Sequence, residues 1–384
     1  MAHRPLDTAR LREALALAES AFGVTEPNPR VGCVIGLDDG TVFDRGATQQ
    51  AGGPHAEIMA LRDARSAGHA VRGATAWVTL EPCAHHGRTP PCCDALIQAG
   101  LARVVVAVGD PHPQVAGEGI ARLRAAGVEV VRAAEAGAPD LAAAAREVNI
   151  GFFSRILRQR PWVRMKIAAS LDGRTALANG ESQWITGDAA RADGHAWRRR
   201  ASAVLTGIGT VLEDDPRLDV RHVPTALQPL RVVVDSRFET PPTARLLHPP
   251  GRGVSIFGAV DDAARRGALL ARGAETALLP GADAKVDLVA LMTELARREI
   301  NELHVEAGHK LNASLLRAGL VDELLVYLAP LLVGLGREMA AFGPLERLAD
   351  ALPLRFGAVE RVGTDLRLLA LLPAGQAFVD TAPA

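Results

Sequence analysis

The sequence predicts an α/β protein of two tandem domains, and three observations lead there. The chain has 384 residues, 48% of them apolar, which at roughly 150 residues per domain supports two or three cores. Short runs of valine, isoleucine and alanine alternate with segments whose apolar residues recur at helical spacing, the pattern of βαβ units in a sheet covered on both faces. Between two such blocks, residues 135–139 are small and polar, Asp140 can cap a helix running toward Gln159, and Arg160-Pro161 breaks it. The boundary therefore falls between residues 149 and 161, giving domains 1–150 and 151–384.

In the first domain, residues 6–20 are helical, 31–35 and 41–48 read as strands around an Asp39-Gly40 turn, and 56–64 is helical again. A buried strand follows at 74–80. Residues 92–99 form a helix ended by Gly100, 103–108 a strand of almost pure valine, 119–126 a helix ended by Gly127, and 128–131 a strand. The second domain restarts with strands at 162–168, 203–207, 230–235 and 254–257. A helix over 286–298 leads to a strand at 302–306, a helix over 312–318 ended by Gly319, and a strand at 323–329. Residues 356–362 and 366–372 make a hairpin across Gly363-Thr364-Asp365, and the tail after Pro373 reads as loose.

Lysine and arginine number 43 against 44 aspartates and glutamates. That balance, without a long run of one sign, argues against a protein held to DNA or tRNA by a basic face. The longest apolar stretch, 324–336, is too short to cross a bilayer and contains Pro330. The opening MAHRPLDTAR has no apolar signal segment, so the expected location is cytoplasmic. Four cysteines, Cys33, Cys83, Cys92 and Cys93, lie in the first quarter, which suits metal binding or catalysis better than a disulfide scaffold. Only three of the 43 basic residues are lysines: Lys166, Lys285 and Lys310. A lysine's charge can be tuned where an arginine's cannot, so a lysine inside an unusual motif stands out.

The strongest motif is Pro54-His55-Ala56-Glu57, followed by Glu81-Pro82-Cys83-Ala84-His85-His86-Gly87-Arg88-Thr89-Pro90-Pro91-Cys92. His55, Cys83 and Cys92 supply one imidazole and two thiolates for Zn2+, leaving the fourth tetrahedral position to water, as in a catalytic site. Glu57 need not ligate and can carry a proton from that water to a leaving amine. The H-x-E…P-C…C order is that of the zinc deaminases. A closed structural site would need a fourth ligand, for which His85, His86 or Cys93 are available, although Cys93 points about 100° round the helix from Cys92. Cys33 and Cys93 read as packing residues, and Cys92 opens a helix, whose positive end favours a thiolate.

Eight residues separate Cys83 from Cys92, more than the short P-C-x-x-C of cytidine deaminases. That insert, with Thr25-Glu26-Pro27-Asn28-Pro29-Arg30-Val31-Gly32 upstream, resembles the riboflavin-biosynthesis deaminases. The resemblance implies His55, Cys83 and Cys92 as ligands and Glu57 as proton shuttle, with Asn28 and the 85–89 loop facing substrate.

In the second domain, Thr206-Gly207-Ile208-Gly209-Thr210 could let a phosphate approach the backbone, but the G-x-G-x-x-G spacing fails at Leu212 and an ordinary tight turn fits equally. Glu306-Ala307-Gly308 before a helix is equally open. The runs Lys166-Ile167-Ala168-Ala169-Ser170-Leu171-Asp172-Gly173-Arg174, Gly180-Glu181-Ser182-Gln183-Trp184-Ile185-Thr186, Gly209-Thr210-Val211-Leu212-Glu213-Asp214-Asp215-Pro216 and Val305-Glu306-Ala307-Gly308 resemble the reductase half of the bifunctional deaminase-reductases of riboflavin biosynthesis. The resemblance spans residues 5–372. It implies a cytidine-deaminase-like three-layer αβα domain followed by a dihydrofolate-reductase-like α/β domain.

For that second half it implies NADPH contacts at Ala168, Trp184, Thr210, Asp214, Ser236, Gly308, His309, Lys310, Leu311, Asn312, Ala313 and Ser314. Ser182, Arg198, Leu218, Arg221 and Glu306 match substrate positions. Arg198 and Arg221 suit a ribose 5-phosphate, which guanidinium binds bidentately. Arg237, beside Ser236, is our own candidate for the cofactor 2′-phosphate, a solvated strand-end arginine being the alternative. Lys166, with Glu306 or Asp172, is the candidate catalytic group of the reduction, a carboxylate-paired structural lysine being the alternative. Three positions depart from the family pattern: His112 for asparagine, Asp219 for threonine beside the phosphate region, and Ala307 for glycine. The implied activity is zinc-dependent deamination of 2,5-diamino-6-(5-phospho-ribosylamino)pyrimidin-4(3H)-one to 5-amino-6-(5-phosphoribosylamino)uracil, then NADPH-dependent reduction of ribosyl to ribityl. Its expected partner is a small pyrimidine ribonucleotide-like substrate, with no nucleic acid or membrane, in a homodimer or homotetramer.

Overall fold

The strands that the β-branched runs predict form the centre of each of two units, one extending through Arg158 and the other beginning at Gln159. The computed structural model describes residues 5–84, 90–113, 115–135, 137–248 and 251–381.

The first unit runs α1 (Pro5–Ser20), β1 (Gly32–Gly36), β2 (Val42–Ala47), α2 (Ala56–Ser66), β3 (Thr75–Leu80), α3 (Cys92–Ala99), β4 (Arg103–Val108), α4 (Glu118–Ala125), β5 (Glu129–Arg132), α5 (Pro139–Val148) and α6 (Ile150–Arg158). Its sheet has the order β2-β1-β3-β4-β5, antiparallel around β1 and parallel from β3 to β5. Helices cover both faces, so Val104, Val105 and Val106 are all buried whichever way they point. Each such valine contributes roughly 1.5 kcal/mol or more. Asp7 of α1 accepts from Trp77 Nε1 at 2.7 Å and from both terminal nitrogens of Arg103 at 2.8 Å, pinning the helix to β3 and β4.

The single helix expected from Asp140 toward Gln159 is two helices, and Asp140 lies in the first turn of α5, behind Pro139 and an N-cap at Ala138. The break is at Asn149. Its side chain accepts from the Arg30 N–H at 2.7 Å and donates to the Arg30 carbonyl at 2.8 Å. Arg30 in turn holds Glu26 at 2.6 Å and the Val148 carbonyl at 2.9 Å, so much of the Thr25 to Gly32 motif is structural.

The second unit contains β6 (Trp162–Ser170), β7 (Arg174–Leu177), α7 (Asp188–Arg200), β8 (Ala203–Gly207), α8 (Ile208–Asp214), β9 (Leu230–Val234), β10 (Val254–Gly258), α9 (Ala263–Leu270), β11 (Glu275–Leu278) and α10 (Leu288–Arg297). It continues with β12 (Glu302–Val305), α11 (His309–Arg317), β13 (Glu323–Ala329), β14 (Gly336–Glu338), β15 (Arg355–Val362), β16 (Asp365–Leu371) and α12 (Pro373–Thr381). Nine strands take the order β11-β10-β9-β8-β12-β6-β13-β16-β15, with β7 and β14 in a separate pair. All are parallel from β11 to β13, and the predicted hairpin β15–β16 closes one edge antiparallel. The carboxyl ends of β6, β8, β9 and β12 therefore lie side by side where the strand order reverses, the place where open parallel sheets bind ligands.

The tail after Pro373 is helical rather than loose: Phe378 of α12 is buried, its ring 6.1 Å from that of Trp162. Helix α7 escaped the periodicity reading because its buried residues are Ala190, Gly194 and His195, which make no apolar stripe. Among the described residues, no helix is long and apolar enough to cross a membrane.

Candidate functional site

Each unit carries a site at the carboxyl end of its sheet. In the first, His55 caps α2, Cys83 lies just beyond β3, and Cys92 is the first residue of α3. Their ligand atoms all lie within 4.8 Å of one another. His55 Nδ1 is 3.7 Å from Cys83 Sγ and 3.3 Å from Cys92 Sγ. A tetrahedral zinc with Zn–S of about 2.3 Å and Zn–N of about 2.05 Å would set N and S about 3.6 Å apart, so the residues fit the ion.

Two helix N-termini converge on these sulfurs, and the Cys92 N–H donates to Cys83 Sγ at 3.3 Å. The hydrogen bond with Cys92 pulls the Cys83 thiol down to about 4, while the same contact pushes Cys92 up. A bound dication would hold both sulfurs as thiolates. Cys33 and Cys93 are both buried and stand apart from the cluster, as packing residues should.

Glu57 is buried on the first turn of α2, and burial raises its carboxyl above the ordinary range against the opposing pull of His55. A carboxyl raised in this way suits a proton shuttle near neutral pH. Asn28 lies in a turn closed by its N–H on the Thr25 carbonyl at 2.9 Å. The 85–89 loop expected to face substrate lies outside the described residues.

Glu81, in the same motif, has a supporting task. Its carboxylate accepts the N–H groups of Asp110 at 3.3 Å, Gly117 at 3.0 Å and Ile120 at 3.1 Å, tying the segment after β4 to the strand end that leads to Cys83. The approach is close, since a Cβ on Gly119 would stand 1.9 Å from the Pro82 carbonyl oxygen. His112, one of the family departures, belongs to this tied segment, its N–H bonded to Asp110 at 2.8 Å. Glu81→Ala leaves these donors without their acceptor and is expected to lower stability by about 3 kcal/mol. A urea midpoint that falls with unchanged slope would show it.

In the second unit, a cleft of about 300 Å3 is lined by Lys166, Ala168, Ser182, Trp184, Thr210, Asp214, Glu306, Gly308, His309 and Asn312. A second, of about 780 Å3, takes in Ser236, Lys310, Leu311 and Ser314. The two share Thr210, Glu213, Gly308, His309 and Arg337, and so form one trough. Ala313 is wholly buried and not among the lining residues.

Arg198 donates to both carboxylate oxygens of Glu306 and, at 2.9 Å, to the Asp219 carbonyl. Burial opposes ionisation of Glu306, but Arg198 outweighs it and holds the carboxyl well below its usual range. The Lys166 ammonium is lowered by burial, and Glu306 offsets part of that. Asp172 is not its partner: it accepts from Ser170 at 2.5 Å and from the N–H groups of Val333 and Gly334 at 3.1 and 2.7 Å, anchoring a turn.

Arg198, Leu218 and Arg221 are not among the residues lining the trough. Leu218 is buried with φ +52°, a sparsely populated conformation for a side-chain-bearing residue. Asp219 is bound by Arg221 at 2.8 Å and Arg217 at 3.1 Å, so two cations face the carboxylate that stands in place of threonine. Burial and Arg198 lower His195 to about 3, and this neutral ring faces the Arg221 N–H with Nδ1 at 3.3 Å.

Sequence reasoning missed Arg191, Arg337 and Met339, all of which line the smaller cleft. Arg191 stacks on Trp184, 4.5 Å from the ring centroid. Arg337 and Met339 come from β14 and its flank, an element with no sequence signal of its own.

Comparison with known proteins agrees with this architecture. The family described as cytidine and deoxycytidylate deaminase zinc-binding region matches residues 5–108, and the RibD C-terminal domain matches 161–368. The riboflavin biosynthesis protein RibD of Escherichia coli K12 is 45% identical over 375 residues, covering 94% of this chain and 98% of its own. That of Aquifex aeolicus is 39% identical over 363 residues, covering 94% and 98%. Acinetobacter baumannii RibD superimposes with a TM-score of 0.84 at 40% identity, over 96% of this chain and 99% of its own. The Thermotoga maritima diaminohydroxyphosphoribosylaminopyrimidine deaminase/5-amino-6-(5-phosphoribosylamino)uracil reductase does so with 0.83 at 30%, again over 96% and 99%. With three side chains fit to hold a metal in one unit, a trough at the strand ends of the other and full-length similarity of this degree, the chain belongs to the RibD family of bifunctional riboflavin-biosynthesis enzymes, a zinc-binding deaminase domain followed by a reductase domain.

Proposed function

We propose that the first domain hydrolyses the ring 2-amino group of 2,5-diamino-6-(5-phospho-ribosylamino)pyrimidin-4(3H)-one and that the second reduces the ribosyl chain of the resulting aminouracil to ribityl. The observation that carries this reading is the three-ligand cluster with buried Glu57 beside it. Zinc, when bound, makes a water ionisable near neutral pH. Glu57, buried beside the three ligands, would take a proton from water and give it to the departing amino group, so that the water oxygen becomes the ring carbonyl and the amino group leaves as ammonia. Asn28 is assigned to hold the ring.

In the second domain NADPH, when bound, supplies the hydride. Lys166 provides the proton needed at the nitrogen on C1′ of the ring-opened sugar and, with Glu306, orients the sugar hydroxyls. Arg198 keeps Glu306 ionised and placed. Arg221, half-exposed, can exchange part of its bond to Asp219 for the substrate 5-phosphate. The same reading places the enzyme in the cytoplasm as a homodimer or homotetramer acting on a free nucleotide-like metabolite.

Chelation tests the zinc half. Treatment with a strong zinc chelator is expected to abolish ammonia release, zinc to restore it, and NADPH oxidation on the deaminated intermediate to continue throughout. Ammonia release at the original rate from zinc-free protein would overturn the assignment.

A further inference from the structure

The chain's three lysines stand among 43 basic residues, and all three line the reductase trough. Lys166 belongs to the smaller cleft, Lys285 and Lys310 to the larger. A chain that uses arginine at every other basic position places ammonium groups only here. Among the described residues, neither Lys285 nor Lys310 is held by a carboxylate, and the acid that lines the larger cleft, Glu213, is bound by Arg337 at 2.6 Å. Two free cations therefore border a cleft in which the negative charge is already paired.

Their positions differ along the trough. Lys310 lies in the first turn of α11, near backbone left open at Gly209, where an added Cβ would meet nothing within 4 Å, and at Gly308, where it would lie 3.7 Å from Thr210 Oγ1. Open backbone at a helix N-terminus suits the diphosphate. Lys285 arrives from a separate tight loop before α10, its N–H on the Ala282 carbonyl at 3.0 Å and its carbonyl accepting from the Gly281 N–H at 2.8 Å. It lines the cleft together with Val234 and Ser236 at the end of β9, one strand outward from β8. A dinucleotide held by these residues would run from Lys166 past the N-terminus of α11 toward Ser236 and Lys285. Arg237, the candidate read from sequence, is exposed like Lys285 but, unlike it, is not among the lining residues, and its N–H is on Asp235 at 3.4 Å.

We infer that Lys285 binds the 2′-phosphate of NADPH and so sets the chain's preference for NADPH over NADH. This rests on the reductase reading above, and a binding measurement separates the two. Calorimetric titration of the full chain with 2′,5′-ADP and with 5′-AMP is expected to show the former binding about tenfold or more tighter, the worth of one charge-assisted hydrogen bond. Lys285→Gln should erase that difference and leave 5′-AMP binding unchanged, while Lys310→Gln weakens both nucleotides alike and Arg237→Gln weakens neither. In turnover, Lys285→Gln should raise KM for NADPH with kcat and the NADH kinetics unchanged. A Lys285→Gln chain that still prefers 2′,5′-ADP, or an Arg237→Gln chain that loses the preference, overturns the inference. Because no hydride moves in the titration, a chain that discriminates between the nucleotides yet oxidises neither cofactor would refute the reductase reading and leave the Lys285 assignment standing.

Discussion

Glu57→Gln is expected to release ammonia from the diaminopyrimidinone phosphate at least about 10²-fold more slowly than the parent chain, the usual worth of a positioned acid–base group. The replacement is nearly isosteric and adds no charge to a buried position, so α2 and the His55 that caps it should keep their places. Zinc content, measured by mass spectrometry, should therefore match the parent, and NADPH oxidation on the deaminated intermediate should not change. Loss of activity together with loss of zinc would make Glu57 a support for the cluster instead of a proton carrier. Undiminished turnover with zinc in place would remove it from the reaction.

Lys166→Met should reverse the pattern, with deamination intact and reduction lowered by about 10²-fold or more. The variant keeps the aliphatic stem that passes Gly194, 4.0 Å from where a Cβ there would lie, and Glu306 retains Arg198 as its counter-ion, so the fold has little reason to fail. The parent's pH dependence gives an independent sign. Burial lowers the Lys166 ammonium, so a reaction that needs it protonated loses rate as pH rises, with a midpoint below the ordinary lysine value of about 10.4. A rate that climbs over that range would assign Lys166 as a base. A Lys166→Met chain that still reduces at the parent rate would leave it as the structural partner of Glu306.

The zinc site was legible because its chemistry is local in the chain. His55 and Glu57 lie two apart, Cys92 begins a helix, and the valine run that became β4 announces a buried parallel strand. The reductase trough draws on residues that lie far apart in sequence, from Lys166 to Met339, so no local pattern announces it. The engagement of Arg198 with Glu306 depends on α7, which lacks an apolar stripe because Ala190, Gly194 and His195 carry its packing. Asp172 sits close to Lys166 in sequence yet turns to Val333 and Gly334, a long-range contact that no local pattern announces. The tail helix α12 is short, and its docking through Phe378 onto Trp162 is equally invisible to periodicity. Lysine scarcity is visible in the composition, but only the fold brings Lys285 and Lys310 to one cleft.

The central claim is that one chain carries both reactions in sequence, and a single assay addresses it. Zinc-loaded full-length protein is supplied with the diaminopyrimidinone phosphate, with and without NADPH, while ammonia and NADPH absorbance are followed together. Ammonia released in both cases, with one equivalent of NADPH consumed per substrate when it is present, is the predicted result. NADPH consumption without ammonia release, or ammonia release with NADPH left untouched, would contradict it.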